Sequence, residues 1–119
     1  LEITEVIYDV DGADDGKERV VIRNSGSGEL VIDGYSIQYL GPTGDFSKTA
    51  KKNFESGNII PAGGTFIVGM SCSSSNPCDG VNMSWSQTLG NESGTIYIVS
   101  DQVKLGGVDS ASIVTSFIY

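Results

Sequence analysis

The chain has 119 residues, no histidine and a formal net charge of −8 at pH 7. That charge repels nucleic acid and anionic membranes, so neither is an expected partner. The length suits a single domain spanning residues 1–119. No apolar stretch approaches the roughly 20 residues that a membrane-spanning helix needs, so we expect no membrane insertion.

Short apolar–polar alternations predict strands along the whole chain, and sixteen glycines mark the turns between them. The first strand, Leu1–Tyr8, places Leu1, Ile3 and Ile7 on one face and Val6 on the other, with a bulge possible at Glu5. Later strands are predicted over 18–24, 30–40, 53–60, 65–70, 95–100 and 103–119, with breaks at 33–34 and 106–107. Residues 41–52 are predicted to be a loop, and 81–89 an irregular segment.

This pattern of seven to nine short strands predicts an all-β fold, an immunoglobulin-like β-sandwich of two sheets. No segment has sustained helical periodicity. Val20 and Ile22 are expected on the core face of the second strand, and Tyr35, Ile37 and Tyr39 on the core face of the strand after the break at 33–34.

Six segments, taken in order, are similar to one known family: Ile3–Asp9, Glu18–Gly26, Ile32–Ile37, Ile60–Val68, Leu89–Ile98 and Val108–Ser110. They resemble the lamin-tail domain, an immunoglobulin-like sandwich found at the ends of nuclear lamins and in many prokaryotic secreted proteins. Arg19 stands where the family usually has an aromatic residue, and Tyr35 where it often has Trp. The resemblance implies a module for binding and assembly without catalytic residues, whose partners differ between members.

Cys72 and Cys78 are separated by five residues, Ser-Ser-Ser-Asn-Pro, which easily form a closed loop. The spacing predicts a disulfide, with two free thiols as the alternative. The triplets that begin at Asn82 and Asn91 are acceptor sequons for N-glycosylation. Together these features predict a secreted or cell-surface protein.

Catalysis is not expected of this chain. Histidine, the commonest general base, is absent, and cysteines in a disulfide are not nucleophiles. No serine lies in a Gly-x-Ser-x-Gly elbow. Carboxylates on a solvated turn keep ordinary pKa values and make poor general acids.

Five carboxylates near the N-terminus suggest a calcium site, because Ca²⁺ prefers hard oxygen ligands. They are Asp9, Asp11, Asp14, Asp15 and Glu18. Their spacing does not fit an EF-hand loop, and a solvated acidic turn between two strands is the alternative. No other cofactor is expected.

A glycan is a second possible ligand, because Trp85 and the tyrosines are amphipathic aromatics of the kind that stack on sugar rings. The alternative is that these rings fill the core, with Trp85 plugging it. Because Tyr35 and Tyr39 share a face with Ile37, the alternation favours the core for these two.

The C-terminal segment, residues 112–119, has apolar residues on both predicted faces. Ile113, Phe117 and Tyr119 lie on one face, and Val114 and Ile118 on the other. Either both faces are covered within the domain, or the segment pairs with another chain. An acidic stretch at Glu2–Glu18 and a basic one at Lys48–Lys52 suggest a head-to-tail contact between copies.

The sequence therefore predicts a non-catalytic extracellular structural protein, a cell-surface or filament-forming subunit that works through protein–protein contacts of its terminal strands. Copies of itself are candidate partners. The alternative is an accessory module that binds a glycan or another surface ligand, stabilised by calcium if the acidic turn holds a cation.

Overall fold

The computed structural model describes residues 1–8, 18–75, 77–90, 93–107 and 110–119, and these residues contain no α-helix. A single 3-10 turn spans Phe46–Lys48. The strands are β1 (Glu2–Ile7), β2 (Glu18–Arg23), β3 (Leu30–Val31), β4 (Ser36–Leu40), β5 (Ala50–Asn53), β6 (Ile59–Ile60), β7 (Thr65–Met70), β8 (Met83–Ser84), β9 (Thr95–Val99) and β10 (Ile113–Ile118). The all-β prediction is confirmed.

Two four-stranded sheets face each other, as in a β-sandwich. One, sheet A, has the order β1-β2-β7-β8, and the other, sheet C, has the order β10-β9-β4-β5. Strands β3 and β6 form a separate two-stranded sheet, sheet B. Neighbouring strands run antiparallel except for the parallel pair β7–β8.

The main core lies between the two sheets and takes side chains from both. Val20, Ile22 and Val68 of sheet A are almost fully buried, as are Ile37 and Ile98 of sheet C. Val20 and Ile22 share the core face of β2, as the alternation predicts. Burying each such side chain contributes about 1.5–3 kcal/mol, so this layer dominates the stability of the fold.

A β-bulge in β1 changes the predicted faces of the first strand. The register with β2 shifts between Ile3 and Glu5, and both Ile3 and Val6 are buried in the core. The prediction that Ile3 and Val6 point to opposite faces is therefore wrong. The extra residue that a bulge inserts reverses the alternation after it.

A second bulge, in β10, changes the face on which the side chains of that strand lie. Its register with β9 shifts between Ile113 and Thr115. Ile113 packs on the outer side of sheet C, whereas Phe117 packs against the main core. The prediction that Ile113, Phe117 and Tyr119 share one face is wrong, because the bulge at Val114 moves the side chains that follow it to the other face. Phe117 and Tyr119 therefore face the main core, and Ile118 lies on the same outer side as Ile113.

The outer side of sheet C is covered as well. A smaller apolar cluster lies there, made of Leu40, Tyr97, Val99 and Leu105, with Phe46 and Ile113 packed against it. Gln38 holds the covering loop in place: its Nε2 donates to the Val103 carbonyl at 2.8 Å, and its Oε1 accepts from the Leu105 N–H at 2.9 Å. Strands β4 and β9 are thus buried on both faces.

Two predicted element boundaries are wrong. The predicted loop over 41–52 contains most of β5, which begins at Ala50, and the predicted strand over 53–60 contains only its end and the short β6. The final strand runs from Ile113 and not from 103, because Leu105 lies in the loop over sheet C. Pairing with β4, and not its own alternation, makes β5 a strand.

Candidate functional site

The predicted disulfide is confirmed. Cys72 and Cys78 are bridged, with their Cα atoms 5.4 Å apart. The bridge closes the turn that leads from β7 to the parallel β8. Beyond β8 the chain stays beside β7, since the Trp85 N–H donates to the Gly69 carbonyl at 2.8 Å. The bridge packs directly on Gly69, where an added Cβ would lie only 2.7 Å from the Cys78 Cβ.

Trp85, the predicted stacking residue for a glycan, lies in the main core with 8% of its surface exposed. A shallow groove beside the disulfide, with a volume of about 280 Å³, touches Trp85 along with Pro77 and Ser84. Stacking on a sugar requires an open ring face, and so small an exposed fraction offers little of one. The burial fits the alternative interpretation, in which Trp85 plugs the core.

The proposed calcium ligands Asp9, Asp11, Asp14 and Asp15 lie outside the described residues. The fifth, Glu18, begins β2 and is fully buried, where its carboxylate accepts a hydrogen bond from the Leu89 N–H at 3.2 Å. Within the described ranges no group of three or more His, Cys, Asp or Glu side chains is placed to hold a metal ion. Calcium binding stays a prediction.

Of the two predicted glycosylation sites, Asn82 is described and Asn91 lies outside the described residues. Asn82 is exposed just before β8, and its Oδ1 accepts a hydrogen bond from the Ile67 N–H at 2.8 Å. The side-chain nitrogen of Asn82, to which a glycan would be attached, is not used in that bond. Glycosylation of either residue stays a prediction.

Tyrosines close one end of the sandwich. The Tyr119 hydroxyl donates to the Gly90 carbonyl at 3.0 Å, and the Tyr39 hydroxyl accepts from the Gly90 N–H at 2.8 Å. The Tyr119 ring also stacks on that of Tyr8, with 4.2 Å between centroids. The pKa of Tyr119 is well above its usual value. Burial is the main cause, and the hydrogen bond with Tyr39 is the second. This cluster holds the last strand against the first.

The β10 edge is the feature of the described surface that most resembles a contact site. β10 is the outermost strand of sheet C and has β1, the outermost strand of sheet A, beside it. Ile118 is 79% exposed and Val114 41% exposed. Both lie on the terminal strand that the sequence assigned to protein contact.

The hydrogen-bond pattern shows which backbone groups of β10 are directed outward. Gly94 and Tyr119 exchange both of their backbone hydrogen bonds, at 3.2 and 3.0 Å. Such pairs alternate along an antiparallel ladder with pairs whose N–H and C=O groups point away. By this alternation, the N–H and C=O groups of Ser116 and Ile118 point away from β9, toward the free edge.

Opposite charges lie on opposite lateral sides of the sandwich. Glu2 and Glu5 are exposed on β1, next to β10. Lys51 and Lys52 are half-buried on β5, the other outermost strand of sheet C, and Lys48 is exposed just before it. The structure therefore separates Glu2 and Glu5 from the basic stretch by the width of the sheets.

No family model matches this chain, and no curated protein is similar to it. No helix in the described part of the chain is long and apolar enough to cross a membrane. The resemblance to lamin-tail domains thus rests on the sequence segments alone.

Proposed function

We propose that this chain is a non-catalytic structural protein of the cell surface or extracellular space, with a lamin-tail-like, immunoglobulin-like sandwich fold. It works through protein–protein contacts made by the lateral side of the sandwich that β1 and β10 form. The observation that carries the proposal is the exposure of Ile118 on an outermost strand.

An outermost strand with exposed apolar residues is a liability for a protein that works alone. Its unpaired N–H and C=O groups invite pairing, and proteins usually protect such edges with charges or cover them. β10 carries neither Lys nor Glu. Covering Ile118 would contribute about 1.5–3 kcal/mol to an association, and each new edge hydrogen bond about 1 kcal/mol.

The disulfide supports the extracellular location. Disulfides persist in oxidising compartments and are rare in the cytosol. The Cys72–Cys78 bridge is also packed against β7, so it belongs to the fold. Glu2 and Glu5 are exposed on β1, so the side of the sandwich formed by β1 and β10 suits a partner surface that carries basic groups.

The alternative function, glycan recognition, has less support. It depends on Trp85, and 8% exposure leaves that ring little area for stacking. The groove beside it is shallow and lies on the disulfide loop. Protein contact is therefore the function that the geometry supports best.

Sedimentation velocity of the purified chain over a wide concentration range tests the proposal. We expect reversible self-association that Ile118→Lys abolishes. Val103→Lys is the matched control, because Val103 is 69% exposed but lies on the loop over sheet C. A monomer at every concentration, or equal losses in both variants, would contradict the proposal.

A further inference from the structure

We propose that the partner of the β10 edge is the β5 edge of a second copy, so that sheet C continues from one molecule to the next. The inference rests on the proposed function, which assigns protein contact to the side of the sandwich formed by β1 and β10. It adds the identity of the partner strand and the register of the contact.

Strand direction makes this pairing possible without turning the second copy over. In sheet C, β10 is antiparallel to β9, β9 to β4, and β4 to β5. With an even number of alternating strands, β10 and β5 of one copy run in opposite directions. A copy displaced along the sheet therefore presents its β5 antiparallel to β10.

The backbone groups of the two edges also match. The Phe54 N–H donates to the Tyr35 carbonyl, at 3.0 Å, so by the same alternation the backbone groups of Lys51 and Asn53 point away from β4. On β10 the outward groups belong to Ser116 and Ile118. On each edge the two residues with outward groups are two positions apart. One antiparallel register therefore pairs all four, with Lys51 opposite Ile118 and Asn53 opposite Ser116.

The side chains in this register lie on matching faces. Lys51 and Asn53 stand opposite Gln38 and Ser36, and Ser116 stands opposite Tyr97, all on the outer side of sheet C. The aliphatic stem of Lys51 would then cover Ile118, keeping its ammonium in water. The bulge at Val114 lies outside the four paired residues, so it does not interrupt the ladder.

Charge favours this partner over a two-fold contact between two β5 edges. A two-fold β5–β5 contact would place Lys51 and Lys52 of both copies together. In the head-to-tail contact, Lys52 extends along the inner side of the edge, opposite Ile37 in its own sheet. The β10 strand of the neighbour carries no basic residue, so Lys51 and Lys52 meet no like charge on it. Because the contact is heterologous and sheets twist, repeating it produces an open helical filament.

Cysteine cross-linking between two singly substituted chains tests the register. Both native cysteines are in the disulfide, so an introduced cysteine is the only free thiol. A mixture of Lys51→Cys and Ile118→Cys chains, treated with a short thiol-specific cross-linker, is expected to give a heterodimer. Replacing Lys51→Cys by Lys104→Cys, an exposed position on the loop over sheet C, is expected to remove that product.

A proline variant provides an independent measurement. Ser116→Pro removes an N–H that points to the free edge and leaves the hydrogen bonds to β9 in place. We expect loss of self-association with an unchanged far-ultraviolet circular-dichroism spectrum. If the folded variant still associates like the unsubstituted chain, the edge ladder is wrong.

The outcomes separate this inference from the proposed function. Association that Ile118→Lys abolishes, with cross-links only between two Ile118→Cys chains, would mean a two-fold β10–β10 contact. That result would overturn the β5 partner and leave the proposed function standing. A chain that neither associates nor cross-links would overturn both.

Discussion

Tyr119 stacks on Tyr8 with 4.2 Å between ring centroids, and so joins the last strand of sheet C to the first strand of sheet A. The two strands belong to different sheets and share no backbone ladder. The contact therefore holds the two outermost strands, on which the proposed function depends, in a fixed relation.

Removing the Tyr119 hydroxyl tests how firmly that end is held. Tyr119→Phe loses the hydrogen bond to the Gly90 carbonyl, and we expect the free energy of unfolding to fall by about 1 kcal/mol. Tyr119→Ala also loses the stacked ring and is expected to cost roughly 3 kcal/mol. Urea denaturation measures both values. Equal costs for the two variants would mean that the ring packing contributes nothing.

The same residue predicts a loss of stability at alkaline pH. Burial raises the pKa of Tyr119, and burial also raises that of Tyr97, above the usual value of 10.0. The unfolded chain therefore loses these protons at lower pH than the folded chain does. Stability is fully present below pH 10 and falls as the pH rises above it. Denaturation curves on both sides of pH 10 should show the fall, and Tyr119→Phe should reduce it.

Gly94 is expected to tolerate no side chain. A Cβ there would lie 2.8 Å from the Tyr119 hydroxyl oxygen and 2.8 Å from a ring carbon of Tyr39. Gly94→Ala forces both rings to move, and overpacking of this kind costs about 1–3 kcal/mol. Gly106→Ala is the control, because no atom lies within 4 Å of its added Cβ. Equal melting temperatures for the two variants would contradict this account.

Some of these features could be predicted from the sequence and others could not. The five-residue spacing of the cysteines indicated the disulfide. The apolar residues on both faces of the terminal segment indicated that it is covered within the domain or pairs with another chain, and the sequence left these two alternatives open. The impure alternation at Glu5 indicated the bulge in β1, whose register shifts between Ile3 and Glu5. The bulge in β10 was not predicted, because a single inserted residue reverses a face without changing composition. Strand β5, with the sequence Ala-Lys-Lys-Asn, has no apolar alternation, since its hydrogen bonds come from β4.

In the candidate site, too, the sequence predicted some features and not others. The sequence identified Val114 and Ile118 as apolar residues of the terminal strand, but its alternation missed the bulge at Val114 and did not indicate that β10 has backbone groups directed to a free edge. The directions of those groups depend on the register between distant segments, which local patterns do not contain. The aromatic character of Trp85 suggested a ligand, whereas its burial follows from the turn that the disulfide closes.

Removal of the disulfide is expected to weaken the fold without abolishing it. Closing so short a loop stabilises a protein by about 2 kcal/mol through the unfolded state. For the double variant Cys72→Ser, Cys78→Ser, we expect the free energy of unfolding, measured by urea denaturation, to fall by that amount. The backbone N–H of Trp85, which donates to the Gly69 carbonyl, should exchange faster with solvent, while the backbone N–H groups that join β2 to β7 stay protected. An unchanged urea midpoint would show that the loop is already ordered without the bridge.

Gln38 is the polar residue whose loss we expect to open the outer side of sheet C. It is fully buried, and its side-chain amide forms hydrogen bonds with the Val103 carbonyl and the Leu105 N–H. Gln38→Leu keeps the volume but leaves the buried Leu105 N–H without its partner, at a cost of about 1–3 kcal/mol, and also loses the bond to the part-buried Val103 carbonyl. The covering loop should then detach locally, which hydrogen exchange at Leu105 would reveal. Lys104→Leu, on the exposed part of the same loop, should leave that exchange unchanged. If both variants exchange alike, the loop is held by its apolar contacts and not by the glutamine.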